Sequence, residues 1–316
     1  MLISKELGIK APIFMGAMAR ITDAKFAASV SNAGGLGVIA SGDMTKDEVK
    51  KEIDLIKTLT NKPYGVNIML QSPYSSDIVD LVIEEDVPIV MFGAGTPFKY
   101  MDRLNEKGIK VFPIVSSVTL AKRLAKYKPF GFIVEGTESG GHIGFESTLP
   151  LIQAMRMELP SLRLIAAGGF ATGESLNAAL MLGCVGIQMG TRFLASEEAP
   201  IDIKYKEEIL RARDNKTTIT GQKFGMPVRV LKNQMSTNYH EIESKAQSIL
   251  ELEVLTVGSL KKAISGDIEN GSLMCGEIAS VISDIKPVKE IIDDIIESAK
   301  QANLRYLSIS SEINNL

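Results

Sequence analysis

The sequence has few of the residues that build metal sites and disulfide frameworks. It contains two cysteines, Cys184 and Cys275, two histidines and no tryptophan, and the cysteines have no CxxC spacing. This shortage nearly excludes a zinc site built from cysteine and histidine. We therefore expect no metal centre of this kind and a protein that works in a reducing cytoplasm.

The sequence also has no large net charge of either sign and no long apolar run. Thirty-five Lys and Arg against thirty-eight Asp and Glu give a net charge of −3, which creates no field that would attract nucleic acid or an anionic membrane. The N-terminal string MLISKELGIK has no apolar signal core, and no apolar run approaches the roughly 18 residues that span a bilayer. The sequence thus predicts a globular cytoplasmic protein that binds neither nucleic acid nor membrane.

Short apolar and β-branched runs recur along the first 195 residues, with segments of helical character between them. In one such segment Thr45 and Glu48 have the spacing of a capping box, and Val49, Ile53 and Ile56 form an apolar stripe. Alternation of strand and helix predicts a parallel sheet, and eight units favour a closed (β/α)8 TIM barrel over a doubly wound sheet. The predicted strands cover residues 12–15, 36–39, 65–69, 89–92, 111–115, 131–134, 162–166 and 185–188.

The strand and helix rhythm breaks after Ala195. A charged helical segment at 205–213, a threonine-rich turn at 217–220 and glycine-containing stretches follow. After Pro287 an amphipathic stripe predicts a last helix that packs back on the barrel. We expect three parts: a barrel over residues 1–200, a cap subdomain over 201–284 and a C-terminal helix within 285–316.

Glycines stand where two of the predicted barrel strands end. Gly168 and Gly169 follow the seventh strand, and Gly190 and Thr191 follow the eighth. Glycine lets backbone N–H groups approach a phosphate closely, and barrels often bind phosphate at these two strands. A purely structural alternative is that the glycines make tight turns, but their occurrence in both loops favours a phosphate site.

His142 lies in the string EGTESGGHIG, which follows the sixth predicted strand. Four glycines surround it, and it falls at the barrel end where active sites lie. We therefore predict a site role for His142 and an ordinary surface role for His240, which lies in a polar stretch. Most of the fourteen methionines are explained as core filling, whereas Met226 and Met274 of the cap are candidates for lining an apolar substrate channel.

Several common catalytic motifs are absent. The run GGLGVIASG does not have the G-x-G-x-x-G spacing and precedes a strand, so no dinucleotide-binding Rossmann unit is supported. The sequence also has no Walker A motif and no G-x-S-x-G elbow. Hydrolase interpretations therefore lack a nucleophile.

A series of strings resembles the nitronate monooxygenase (2-nitropropane dioxygenase) superfamily of FMN barrels. They occur in the order PIFMGAM, SVSNAGGLGVIASG, KPYGVNIML, EGTESGGHIG, IAAGGFATG and IQMGTRFLAS, and the resemblance covers nearly the whole chain. Within the superfamily, the cap strings TTITGQKFGMPVRVLKN and VGSLKKAISGDIENGSLMCGEIAS are most similar to those of the flavin-dependent enoyl-acyl-carrier-protein reductases.

The resemblance implies an FMN cofactor and the positions that contact it. Its phosphate would be bound by the loops of Gly168, Gly169, Gln188, Gly190 and Thr191. Family contacts near the flavin ring correspond to Gly16, Ala17, Met18, Asn67 and Glu135, and His142 matches the active-site histidine. The family also implies NADH or NADPH as reductant, and it allows a monovalent cation and a homodimer.

The implied reaction is the reduction of a trans-2-enoyl thioester carried on acyl-carrier protein in bacterial fatty-acid synthesis. NAD(P)H would reduce FMN, and reduced FMN would pass hydride to the β-carbon while His142 polarises the thioester carbonyl or relays the proton. The first alternative is a nitronate monooxygenase that oxidises alkyl nitronates with O2. The second is a flavin-binding protein without turnover.

The chain departs from the family pattern at four positions. Met15 and Arg20 stand where family members usually have an amide and an aromatic side chain near the flavin. Met226 replaces a usual histidine, and Glu277 replaces a usual glutamine. These departures bear on substrate positioning more than on cofactor binding.

Overall fold

A computed structural model describes residues 2–313, with side chains through Ser310. Met1 and residues 314–316, which belong to the predicted barrel and C-terminal parts, lie outside the described residues. Within the described chain the strands are β1 (Ile13–Met15), β2 (Gly37–Ala40), β3 (Tyr64–Met69), β4 (Ile89–Gly93), β5 (Lys110–Val115), β6 (Phe132–Glu135), β7 (Gly141–His142), β8 (Leu164–Ala167), β9 (Gly186–Met189), β10 (Thr217–Thr220) and β11 (Val228–Leu231).

The helices of the same residues alternate with the barrel strands and then fill the C-terminal third. They are α1 (Ile3–Leu7), α2 (Ala24–Asn32), α3 (Lys46–Leu59), α4 (Ser75–Glu84), α5 (Met101–Glu106), α6 (Val118–Ala125), α7 (Thr148–Glu158), α8 (Gly173–Met181), α9 (Thr191–Leu194), α10 (Ile203–Leu210), α11 (Gln234–Lys245), α12 (Glu253–Thr256), α13 (Ser259–Ile264) and α14 (Val288–Ile313). Short 3-10 turns cover Phe98–Tyr100, Gln222–Phe224, Ile249–Leu252 and Glu277–Val281.

Eight parallel strands form a nearly closed barrel, as predicted. Their order is β1-β9-β8-β6-β5-β4-β3-β2, and each predicted strand overlaps the observed one within two residues at either end. The seam between β1 and β2 is a short parallel bridge, in which the Met15 N–H donates to Leu36 O at 2.9 Å and the Leu36 N–H donates to Ile13 O at 2.9 Å. The parallel strands are nearly continuous apolar runs because both faces are buried, one inside the barrel and one under the helices.

Local sequence signals explain how α3 forms. Thr45 and Glu48 make the predicted capping box, and Val49, Ile53 and Ile56 are fully buried against the barrel. The predicted C-terminal helix also forms. It begins directly after Pro287, packs on α8 and α2, and accepts a 2.7 Å hydrogen bond from Asn177 Nδ2 at the carbonyl of Ala299.

The segment after Ala195 contains one element that the sequence analysis misjudged. Thr217–Thr220 is the strand β10 and not a turn, because its backbone pairs antiparallel with Val228–Leu231 of β11 and its β-branched residues favour an extended conformation. In turn, β11 pairs with β7, so a three-stranded sheet joins the cap segment to the loop that follows barrel strand β6. This sheet places cap residues beside the barrel mouth.

No helix within residues 2–313 is long and apolar enough to cross a membrane.

Candidate active site at the barrel mouth

A cavity of about 350 Å³ opens at the carboxyl ends of the barrel strands. It brings together twelve of the thirteen site residues predicted from the sequence. These are Gly16, Ala17, Met18, Asn67, Glu135, His142, Gly168, Gly169, Gln188, Gly190, Thr191 and Met274. Met226 does not line this cavity and is 43% exposed on the cap.

A second, larger hollow of about 610 Å³ lies on the cap beside β10 and α11. Its lining is mainly polar and charged and includes none of the predicted site residues. Small-molecule sites are usually concave, largely apolar and equipped with a few convergent polar groups. The barrel cavity has these features, so we assign the candidate active site to it.

The glycines of the loops after β8 and β9 have different surroundings. Gly168 has a φ of +91°, and a Cβ there would lie 2.8 Å from Ser139 Oγ, so only glycine fits. Gly190 has an ordinary φ of −106°, and within 4 Å an added Cβ would meet only Met18 Sδ, at 3.7 Å. The room beside Gly190 is therefore cavity space and not space filled by protein.

Two buried side-chain oxygens in the cavity lining lack a partner. Asn67 Oδ1 and Gln188 Oε1 have no hydrogen-bond donor among residues 2–313. An unpartnered buried acceptor costs about 1–3 kcal/mol, which a ligand that brings N–H or O–H groups would recover. A polar ligand with donors at these two positions would satisfy both oxygens.

Glu135 ends strand β6 inside the cavity. Burial raises the pKa of its carboxyl to about 7, and no opposite charge in the described chain offsets this effect. The group is thus close to half protonated at neutral pH and can either donate or accept a hydrogen bond. Perturbed carboxyls of this kind concentrate in functional sites.

His142 lies in β7, the short strand that pairs with β11 of the cap. It stands opposite Val228, and its imidazole lines the cavity while keeping solvent-accessible surface. Desolvation by the surrounding protein lowers the pKa of His142 below its usual value of 6.5. At neutral pH the side chain is therefore a neutral imidazole with one N–H donor and one acceptor nitrogen.

Comparison with known proteins identifies the family of the chain. The model of the nitronate monooxygenase family matches residues 1–298. The chain belongs to the nitronate monooxygenase family. Its members are flavin-dependent oxidoreductases, which agrees with the predicted enzyme class.

Individual members of the family are similar over almost their full length. A (3aS,4S,5R,7aS)-5-hydroxy-7a-methyl-1-oxo-octahydro-1H-indene-4-carboxyl-CoA dehydrogenase of Mycobacterium tuberculosis is 30% identical, over 94% of this chain and 95% of its own. A probable nitronate monooxygenase of Staphylococcus saprophyticus is 29% identical, over 93% and 96%. The structure of FabK from Thermotoga maritima superposes with a TM-score of 0.94 at 43% identity and covers 97% of this chain and 98% of that one.

The residues at the mouth fit the flavin of this family. A flavin carries a ring N–H and ribityl O–H donors that would satisfy Asn67 and Gln188, and the phosphate of a flavin nucleotide needs close backbone approach such as Gly190 permits. Glu135 and His142 line the same cavity and add groups that can exchange hydrogen bonds with a ring or a substrate. The donors of a flavin therefore match the two acceptor oxygens that lack a partner, Asn67 Oδ1 and Gln188 Oε1.

The sequence analysis predicted Met274 of the cap for this cavity but missed other cap residues that line it, among them Gly276 and Tyr205. Gly276 lies in the cavity lining, and a Cβ on Gly276 would come 2.7 Å from the carbonyl oxygen of Glu138. Tyr205 is fully buried, lines the cavity and donates from its hydroxyl to Met274 O at 2.7 Å. The glycine in the string MCGE and the lone tyrosine of α10 were the available signals, but neither has a recognisable spacing to the barrel motifs.

Proposed function

We propose that the protein is an FMN-dependent enoyl-acyl-carrier-protein reductase that reduces trans-2-enoyl thioesters with NADH or NADPH. The observation that carries this proposal is the position of His142, whose neutral imidazole lines the same cavity as the unpartnered oxygens of Asn67 and Gln188. The similarity to FabK over 97% of the chain and the resemblance of the cap strings to enoyl reductases support it.

Gly168, Gly169, Gln188, Gly190 and Thr191 would hold the FMN phosphate and ribityl chain. The positions beside the ring would be Gly16, Ala17, Met18, Asn67 and Glu135. When bound, FMN supplies the hydride transfer from the nicotinamide to the β-carbon of the thioester. The chain contributes binding, orientation and a cavity from which bulk water is partly excluded.

His142 would act on the thioester and not on the cofactor. As a neutral imidazole it donates its N–H to the carbonyl oxygen, where negative charge develops, or it relays the proton that the α-carbon takes up. Residues 201–284 would form the cap over the acyl chain, and Met274, Leu260 and Ile278 supply apolar surface to the cavity.

A second candidate is oxidation of alkyl nitronates with O2. The family assignment and the Staphylococcus saprophyticus relative favour it, and the same cavity would hold a small anionic substrate beside His142. The size of the cap, about a quarter of the chain, fits a long acyl substrate better than a small nitronate. We therefore rank enoyl reduction first.

One paired assay tests the proposal. Purified protein is supplied anaerobically with NADH or NADPH and a short trans-2-enoyl thioester, and NAD(P)H oxidation is followed by absorbance. The same protein is supplied aerobically with an alkyl nitronate, and oxygen uptake is followed. We expect turnover in the first assay; turnover only in the second would support the nitronate alternative, and turnover in neither would leave a flavin-binding protein.

A further inference from the structure

A single arginine of the cap, Arg229, contacts the loop that carries His142. Arg229 lies in β11, and its side chain is only 6% exposed. Its backbone stands opposite Gly141 in the sheet, one residue before His142. Arg229 therefore lies in the cap in the sequence but contacts the loop that carries His142.

The guanidinium makes three separate contacts. Nε donates to the backbone carbonyl of Thr137 at 2.9 Å, and Nη1 donates to Thr217 Oγ1 at 2.9 Å. Nη1 also lies 2.8 Å from Glu277 Oε1, in an ion pair with a half-exposed carboxylate. Three acceptors on three different segments require the planar fork of arginine, which the single ammonium of lysine does not reproduce.

These contacts fix the loop at both of its ends. The side chain of Arg229 holds Thr137, two residues beyond the end of β6, and its backbone lies opposite Gly141. The loop is closed further by the Thr137 N–H, which donates to Glu146 O at 2.9 Å, and by the Ile143 N–H, which donates to Pro227 O at 3.1 Å. Only residues 138–140 separate Thr137 from Gly141, and His142 follows Gly141 directly.

Burial makes the contact costly to lose. Desolvation lowers the pKa of Arg229, and the facing carboxylates of Glu277 and Glu138 offset part of this cost. A buried cation that has lost its acceptors is strongly destabilised, so the loop and the guanidinium hold each other in one arrangement. A surface arginine would impose no such restriction.

We propose that Arg229 is a positioning residue, which orients His142 toward the cavity by holding the carbonyl of Thr137 and the backbone of Gly141 in one place. The inference rests on the proposed function for its chemical consequence. The loop geometry itself can be tested without turnover. Arg213 provides a matched control, because the side chain of this exposed arginine of the same cap hydrogen-bonds, within the described residues, only to the carbonyls of Leu210 and Ala212 in its own turn.

The first experiment measures hydrogen exchange in the FMN-loaded protein for wild type, Arg229→Gln, Arg229→Lys and Arg213→Gln. We expect the amides of Thr137 and Ile143 to exchange about 10- to 100-fold faster in Arg229→Gln, the range set by loss of a buried hydrogen bond. Exchange of these two amides in Arg229→Lys should be intermediate. The amides of β8 and β9 should exchange at the wild-type rate in every variant, and Arg213→Gln should leave the amides of Thr137 and Ile143 unchanged. Unchanged exchange in the loop, or a uniform increase across barrel and cap, would overturn the proposal.

The second experiment separates positioning from general damage by a double-mutant cycle with His142→Ala. We expect Arg229→Gln to slow oxidation of the reduced flavin by enoyl thioester about 10- to 100-fold, the cost of a misplaced catalytic group. In the His142→Ala background the same change should cost less than about twofold. Equal costs in both backgrounds would overturn the positioning role. If wild type does not reduce the thioester, the proposed function fails, and the exchange data alone decide the inference.

Discussion

The backbone N–H of Gly276 donates a 3.0 Å hydrogen bond to Oγ1 of Thr191. The two residues are 85 positions apart in the chain, one on the returning cap segment and the other at the start of the short helix after β9. Both line the cavity. Because the hydroxyl oxygen accepts this hydrogen bond from the cap segment, the bond couples the cap to the predicted phosphate loop.

This bond predicts the effect of Thr191→Val, which keeps the shape of the side chain and removes the hydroxyl. The buried N–H of Gly276 would be left without an acceptor, so we expect the free energy of unfolding to fall by about 1–3 kcal/mol. Flavin affinity should fall as well. Urea unfolding and fluorescence titration with FMN measure the two effects. Thr191→Ser retains the hydroxyl and serves as the control; an equal loss in the serine variant would contradict the explanation.

Gly190→Val tests the phosphate loop. The backbone of Gly190 has an ordinary φ, and the protein leaves room for a Cβ there, so the fold should tolerate the change. The valine would instead occupy space that the ligand needs. Overpacking of about 1–3 kcal/mol corresponds to about 5- to 150-fold weaker FMN binding.

Gly190→Ala should give a smaller loss in the same direction, and thermal unfolding of the flavin-free variants should match that of wild type. The released cofactor should be FMN and not FAD, as chromatography of denatured protein would show. Full retention of FMN by Gly190→Val would place the phosphate elsewhere.

Glu135 predicts a pH dependence of stability. Its carboxyl has a pKa of about 7 when folded and an ordinary value of 4.5 when unfolded, so the folded state binds more protons between these values. Folded protein therefore loses stability as the pH rises from about 4.5 to 7, by on the order of 2–4 kcal/mol.

Glu135→Gln removes this titration while keeping the size of the side chain. We expect the stability of flavin-free wild type, relative to that of the variant, to decrease between pH 5 and pH 8 in urea unfolding experiments. A constant difference between the two proteins across this range would show that Glu135 is ionised throughout.

His142→Ala separates the two half-reactions of the proposed enzyme. Loss of a positioned donor typically costs on the order of a hundredfold or more, and it should fall on oxidation of reduced flavin by the enoyl thioester. Reduction of the flavin by NAD(P)H should be nearly unchanged because it uses a different acceptor. Rapid-mixing absorbance of the flavin follows both steps, and equal losses with weaker FMN binding would assign His142 a structural role in its loop.

The sequence by itself determined the barrel and most of the residues that line the candidate site. Each barrel strand is a short buried run between helices, and α3 is fixed by the local pair Thr45 and Glu48, so their signals lie within a few residues of one another. The glycine loops and His142 could be placed because parallel strands bring all of their carboxyl ends to one face. The order of motifs then indicated the family, which the match over residues 1–298 confirms.

Tertiary structure alone decided how the cap meets this face. Thr217–Thr220 is a strand only because β11 lies beside it, and Arg229 reaches the carbonyl of Thr137 across 92 residues of chain. Gly276 approaches Thr191 across 85 residues. Neither hydrophobic periodicity nor capping motifs record contacts at such separations, because these patterns report only on neighbours within one helix or strand. The orientation of the His142 side chain toward the cavity therefore depends on contacts that form only in the folded protein.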